Sequence, residues 1–229
     1  HQARGNHTKT KFIGRSRGYH GSGFGGTSVG GIVANRKQYG NLLNGVIHLP
    51  HTHMPEKNSF SKGQPKHGKE KADSLKEIIS FHGSENIAAV IVEPVAGSTG
   101  VLVPPKGYLE KLRKICTDND IILIFDEVIT GFGRVGDSFA CNRFNVFPDI
   151  ITLAKGITNA TVPMGAVGVT SKIYKTLYDT HKKGIEFFHG YTYSGHPLAC
   201  AAGLATLEVY EEDDLFNRAR SLEKYFEAR

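Results

Sequence analysis

The sequence predicts an α/β fold, a mainly parallel sheet with helices on both faces. Short β-branched runs alternate with amphipathic segments along most of the chain, and several of those runs are apolar throughout instead of alternating. The segments between them are long enough to carry the helical crossovers that parallel neighbours require. In such sheets ligands gather at the carboxyl ends of the strands.

Taken in order, KFIGR (11–15) and GVIHL (45–49) read as strands, and a lysine-rich loop follows over 55–71. In DSLKEIISFHG, Asp73 is placed to cap a helix with Leu75, Ile78 and Ile79 on one face, and Gly83 supplies its stop. IAAVIVEP (87–94) is a strand without alternation, as expected where both faces are buried. Tyr108, Leu109, Leu112, Ile115 and Cys116 recur at helical spacing, DND (118–120) turns the chain, and IILIFD enters as another continuous apolar strand ending at Asp126. Pro148 introduces the strand DIITLAK (149–155), and GAVGVT (165–170) reads as a further strand. HPLACAAGLATLEVYEEDD is a helix whose small residues imply close packing.

The 229 residues, 39% hydrophobic and 22% charged, are those of an ordinary globular protein with a substantial core, which argues against disorder. Residue 1 is His, not Met, and both ends fall inside helical patterns, so the chain is expected to be part of a longer one. No apolar run approaches the roughly 18 residues that span a bilayer, and no signal peptide is visible; no membrane is expected, and the cytoplasm is the default compartment. Cys116, Cys141 and Cys200 are odd in number and widely spaced, which offers neither a disulfide framework nor a zinc pattern. Net charge is +6, but much of the excess sits in 55–71, with five lysines, two glutamates and no aromatic ladder; this is a solvated loop rather than a nucleic-acid surface.

Two segments fit G-x-G-x-x-G, GSGFGG (21–26) and GFGRVG (131–136). The first follows no strand. In the second, EVIT separates the strand from the glycines, and the following strand ends in Lys155 where a ribose-binding acid belongs, so a dinucleotide is disfavoured. His48, His51 and His53 sit in a proline-bearing loop where their rings need not converge, and no metal is expected. Arg15, Arg17 and Arg134 read as structural or surface groups.

Asp126 and Lys155 each end a predicted strand, so both could point into one crevice at the carboxyl edge. A structural ion pair is the plain alternative, but buried pairs seldom stabilise a fold more than apolar replacements do. A cofactor needing an amine at one end and an acid at the other would explain the spacing, and pyridoxal phosphate is such a molecule.

ILIFDEVITGFGRVGDSFACNRFNVFPDIITLAKGIT (122–158) resembles the signature of class III pyridoxal-phosphate-dependent aminotransferases. GRSRGYHG, AAVIVEPVAGSTGVLVPPKGYL, VPMGAV and HGYTYSGHPLACAAGLA are similar to further family blocks, in family order over nearly the whole chain. Within the class, HLPHT and HGYTYSGHP look most like the omega-aminotransferases acting on beta-alanine and pyruvate.

The resemblance implies a fold type I large domain over residues 1–210, with 211–229 beginning the helical connection to a small domain. It implies pyridoxal 5'-phosphate as cofactor, with Lys155 as the Schiff-base lysine and proton carrier and Asp126 on the ring nitrogen. Val128 would pack on one ring face and Tyr19 on the other, while Glu93 would support the Asp126 side by hydrogen bonding. Thr192 would reach the phosphate of the neighbouring subunit's cofactor, which implies a homodimer. An amine or omega-amino acid donor and a keto acid such as pyruvate would be the substrates. Each residue has a plainer role open to it: Tyr19 as a turn aromatic, Thr192 as a helix-entry cap, Glu93 as a strand-end acid, Val128 as core.

Two departures qualify the resemblance. Relatives using ornithine or gamma-aminobutyrate carry a glutamate where EPVAGSTG has Ser98, which disfavours those substrates. The family's glycine-serine phosphate loop and its carboxylate-reading arginine fall outside these residues, so the chain alone is expected to be inactive. A decarboxylase, racemase or aminomutase of the same fold is the alternative, and a non-catalytic relative of the fold is the rival from another class.

Overall fold

Four of the predicted strands pair in parallel, in keeping with the mainly parallel sheet that the sequence predicts. The computed structural model describes residues 1–180, 184–185 and 187–229, and divides into two units, His1–Asp126 with Val146–Pro148, and Glu127–Asn145 with Asp149–Arg229.

The first unit holds strands β1 (Lys11–Arg15), β2 (Val46–Leu49), β3 (Ile87–Val92) and β4 (Ile122–Asp126), in the order β2-β1-β3-β4. Every pairing is parallel, with Arg15 opposite Leu49, Ile13 opposite Val90, and Val92 opposite Phe125. Ile13, Val90, Val92, Leu123 and Phe125 are fully buried, which is why β3 and β4 show no polar alternation. Between the strands lie helices α1 (Phe24–Val29), α2 (Val33–Arg36), α3 (Pro55–Asn58), α4 (Ser74–His82) and α5 (Tyr108–Asp118). The α5 face forecast from spacing, Tyr108, Leu109, Leu112, Ile115 and Cys116, is buried throughout. Gly14 on β1 has no alternative: an added Cβ would stand 2.0 Å from the Val29 carbonyl oxygen at the end of α1.

Two local readings change. Asp73 makes no side-chain cap, because a 3-10 turn over Lys69–Asp73 leads into α4 and holds Asp73 itself in helical geometry. Its carboxylate instead pairs with Lys76 at 3.1 Å and with Lys111 on α5. The lysine-rich stretch is also less irregular than expected, since Pro55 opens α3 within it. At the opposite edge of the sheet the buried Lys9 donates to three carbonyls, Ser84 (2.9 Å), Ile87 (3.3 Å) and Asp120 (2.9 Å), joining the segments that lead into β3 and β4.

The second unit holds α6 (Ala140–Phe144), β5 (Ile150–Leu153), β6 (Ala166–Val169), α7 (Ser171–Thr180), α8 (Pro197–Glu212) and α9 (Leu215–Glu227). β5 and β6 pair antiparallel, Ile150 opposite Val169 and Leu153 opposite Ala166. The link between them contains only a 3-10 turn over Lys155–Thr158, and without a crossover helix the chain reverses direction. The small residues of α8 pack as expected: Ala199 and Gly203 are buried, and a Cβ on Gly203 would lie 3.3 Å from the Met164 sulfur.

Candidate active site

In the first unit the site grows from the carboxyl ends of β1, β3 and β4. Arg15, the last residue of β1, is 2% exposed; its Nη2 donates to the Glu93 carbonyl at 2.8 Å and its guanidinium lies 5.8 Å from the Tyr108 ring centre. It is structural, as its sequence context implied. Beyond it the chain turns through Arg17, at φ 63, and reaches Tyr19 and His20.

Glu93, directly after β3, is 3% exposed, and both its oxygens are engaged. Oε1 accepts the Tyr19 backbone N–H at 2.9 Å and Oε2 accepts the Gly97 N–H at 2.9 Å. A carboxylate bonded to backbone donors is held firmly even when buried. Glu93 therefore ties the loop after β1 to the loop after β3, so its support goes to Tyr19, where the resemblance pointed to the Asp126 side. Ser98 is exposed in that second loop.

Asp126 ends β4 and is 8% exposed. His20 Nδ1 lies 2.9 Å from its Oδ2, with the imidazole side chain 2% exposed. With Asp126 as carboxylate, Nδ1 carries the proton and donates. The sequence reading missed His20, although it stands in the quoted GYHG next to Tyr19. No spacing rule announces it, because its partner is 106 residues away. Of the three clustered histidines, His48 lies on β2 and not in the loop, and its Nε2 meets the Gly30 carbonyl at 2.8 Å. His51 Nδ1 accepts the His53 N–H at 2.7 Å, and burial, reinforced by Arg15, Arg17 and His53, pushes the His51 imidazole down to about 3.

In the second unit Glu127 is fully buried and was not singled out from the sequence. Its Oε2 accepts the Thr130 hydroxyl (2.5 Å) and the Ala140 N–H (2.8 Å), and its Oε1 accepts the Cys141 N–H (2.8 Å). It thus closes the loop containing the half-buried Val128 onto the amino end of α6, where a negative charge is favoured. Burial and the Glu127 charge raise the Cys141 thiol to about 11, leaving it unreactive at neutral pH.

Lys155 is not the end of a buried strand. β5 is half-buried and stops at Leu153, and Lys155 is exposed and opens the following 3-10 turn with φ 49, a left-handed conformation disfavoured by about 1–2 kcal/mol for a residue with a Cβ. Strain of this kind concentrates at working sites, though here turn residues such as Asn159 and Ala160 share it. Gly156 lies against Phe132: a Cβ there would meet the Phe132 Cβ at 2.6 Å. GFGRVG is a closed turn, with Phe132 N–H donating to the Ser138 carbonyl at 2.6 Å and Gly133 N–H to that of Asp137 at 3.1 Å; it is not a helix-entry phosphate loop. Thr192 is exposed and does not cap α8, which takes His196 as its N-cap.

The first unit thus presents a buried acid at the end of β4, held by a histidine, and the second a lysine on a strained turn. Residues 1–229 match the family described as Aminotransferase class-III, and the chain belongs to that family. The omega-aminotransferase of Caulobacter vibrioides is 65% identical over 227 residues, covering 99% of this chain and 52% of the relative. The omega-amino acid--pyruvate aminotransferase of Pseudomonas putida is 50% identical over 227 residues, covering 98% of this chain and 50% of the relative. Among solved structures, the PLP-bound amine transaminase of an uncultivated Pseudomonas species superposes with TM-score 0.86 at 41% identity, over 94% of this chain and 49% of that one. The omega transaminase of Pseudomonas jessenii in complex with PMP gives TM-score 0.86 at 36% identity, over 94% and 48%. The chain spans about half the length of the curated relatives it matches.

Class III aminotransferases depend on pyridoxal 5'-phosphate. The residues present fit it chemically: a buried carboxylate for a protonated ring nitrogen, a primary amine for an aldehyde, an aromatic for the ring face and a hydroxyl for the phosphate.

Proposed function

We propose that the whole protein carrying this chain transfers an amino group from an amine or omega-amino acid to a keto acid, with pyruvate as the acceptor. The support is family membership over the full chain, together with relatives 50–65% identical named for omega-amino acids, beta-alanine and pyruvate. Ser98, where the resemblance implies an acid in users of ornithine and gamma-aminobutyrate, disfavours those substrates.

Pyridoxal phosphate, when bound, supplies an aldehyde that captures amines and a ring that withdraws electrons from the adjacent carbon. Asp126 would keep the ring nitrogen protonated, and His20 bonds Asp126 and would fix its orientation. Tyr19 is anchored through its own N–H to Glu93 and would pack on one ring face, and Val128 would pack on the other. Lys155 would hold the aldehyde end through its amine and would serve as the group that moves a proton at the substrate carbon. Thr192 would donate its hydroxyl to the phosphate in a neighbouring subunit, which would make the working form a homodimer. We place the enzyme in the cytoplasm.

The buried Asp126–His20 pair at the carboxyl end of β4 carries this reading, since a buried carboxylate oriented by a buried imidazole has no evident packing purpose. The test is to load the full-length protein with pyridoxal phosphate, reduce with borohydride and map the label. Lys155 should carry it, and Lys155→Ala should lose label and visible absorbance together. A label on another lysine, with activity intact in the variant, refutes the assignment.

A further inference from the structure

Tyr210 lies in the sequence LEVYEE near the end of α8, 55 positions beyond Lys155, and nothing in its surroundings there marks it. In the folded unit its hydroxyl donates to the Gly156 carbonyl at 2.7 Å. Its ring stacks on Phe132, with centroids 5.9 Å apart and planes 18° apart, and on Phe216 at 5.2 Å and 27°. Phe132 in turn lies against Gly156, leaving no room for a side chain at that position. Gly156, the residue that follows Lys155, is therefore held twice, by a hydroxyl on its carbonyl and by an aromatic side chain against its α-carbon.

The same turn is closed from within. Ala160 N–H donates to the Lys155 carbonyl at 2.9 Å and Asn159 N–H to that of Gly156 at 3.2 Å, while Thr158 bonds the Val162 carbonyl at 2.7 Å. Phe132 is itself fixed, since its N–H reaches the Ser138 carbonyl at 2.6 Å and its ring meets Phe139 edge-on at 5.4 Å. α9 reinforces that loop, with Arg220 donating to the Gly136 carbonyl (3.0 Å) and to the Asp137 carboxylate (2.6 Å). A left-handed lysine persists only where its surroundings over-determine it, and these contacts supply that constraint.

We propose that Tyr210, acting through the Gly156 carbonyl and with Phe132 as its base plate, is a positioning residue that sets the direction of the Lys155 side chain for capture of the cofactor aldehyde. The proposal rests on the assignment of Lys155 made above. Tyr210 acts on the backbone beside Lys155, through the Gly156 carbonyl. Burial raises its phenol above the ordinary tyrosine range, so the hydroxyl stays protonated and remains a donor across the pH range in which a transaminase works.

The experiment uses the full-length protein, freed of cofactor and mixed with pyridoxal phosphate, comparing wild type with Tyr210→Phe, which removes only the hydroxyl, and Phe132→Leu, which removes the plate. The rate at which the visible absorbance develops reports capture by Lys155, and the pH midpoint of that band reports the setting of its nitrogen. Loss of one neutral hydrogen bond should slow capture about three- to tenfold and move the pH midpoint. KM for the amine donor should stay near its wild-type value, because substrate is not touched. A purely structural role would lower the melting temperature of the cofactor-free protein yet leave capture rate and pH midpoint unchanged, and that result overturns the proposal. Borohydride label missing from Lys155 even in wild type would overturn the lysine assignment, and the positioning role with it.

Discussion

Replacing Glu127 by Gln tests how firmly one buried carboxylate holds the loop that carries Val128. A Gln oxygen placed at the Oε2 position keeps the bonds from Ala140 N–H and the Thr130 hydroxyl, but the amide then faces the Cys141 N–H, donor against donor. One hydrogen bond to a charged group is lost, worth about 1.5–3 kcal/mol, and the variant no longer buries a charge, which returns part of that. The expected net loss is about 1–3 kcal/mol, or roughly 2–10 °C in melting temperature for a chain of this size. Glu127→Ala, which strands all three donors and leaves a void, should lose more. A second readout is chemical: burial is the larger cause of the raised Cys141 thiol, and the Glu127 charge is the next. Removing the charge should therefore lower the thiol pKa from about 11 and speed alkylation of Cys141 at pH 9. The reasoning fails if Glu127→Gln melts within about 1 °C of wild type and Cys141 alkylates no faster.

Two further outcomes follow from the first unit. His20→Phe, which keeps a ring and removes the donor to Asp126, should weaken cofactor binding about tenfold or more, while His20→Asn, whose amide nitrogen can take the place of Nδ1, should restore most of it; a fluorescence titration of the cofactor-free protein decides, and a Phe variant that binds like wild type sinks the role. His51 has its imidazole depressed from 6.5 to about 3, so between those values the unfolded chain binds a proton that the folded chain refuses, and stability must fall as pH drops below 6.5 and level off near 3. The upper limit is about 1.4 kcal/mol per pH unit, reduced to a few tenths by the ring's partial exposure, and His51→Gln should flatten the urea-midpoint profile between pH 6.5 and 4; an unchanged slope refutes it.

The sheet was legible because burial leaves its mark on composition: β3 and β4 are apolar on both faces, and α5 shows its inward stripe at helical spacing. The direction of β6 was not, since a four-residue strand reads alike in either sense and only the absence of a crossover helix before it decides. Asp73 was misjudged because a preceding turn occupied the capping geometry, leaving its carboxylate to lysines. Asp126, Lys155, Tyr19 and Glu93 stood out through motif and strand-end position. His20, Glu127, Tyr210 and Lys9 did not, for one reason: each acts through a bond to a residue or carbonyl whose proximity is created by folding. Buried polar side chains beside a motif are the one available signal, and by that measure His20 and Glu127 were within reach.

The distance along the chain between His20 and Asp126 also bears on how the protein is made. β1 lies between β2 and β3, so the first strand synthesised must wait for residues 87–92, and the acid that meets His20 arrives with β4. Contacts of such separation form slowly, because the intervening loop must close before any bond rewards it. During translation β3 therefore presents an open edge to other chains until β4 docks, and that interval is when misassembly threatens. The buried bond between His20 and Asp126 can form only after β4 has docked, so its presence reports that the first unit has reached the right topology.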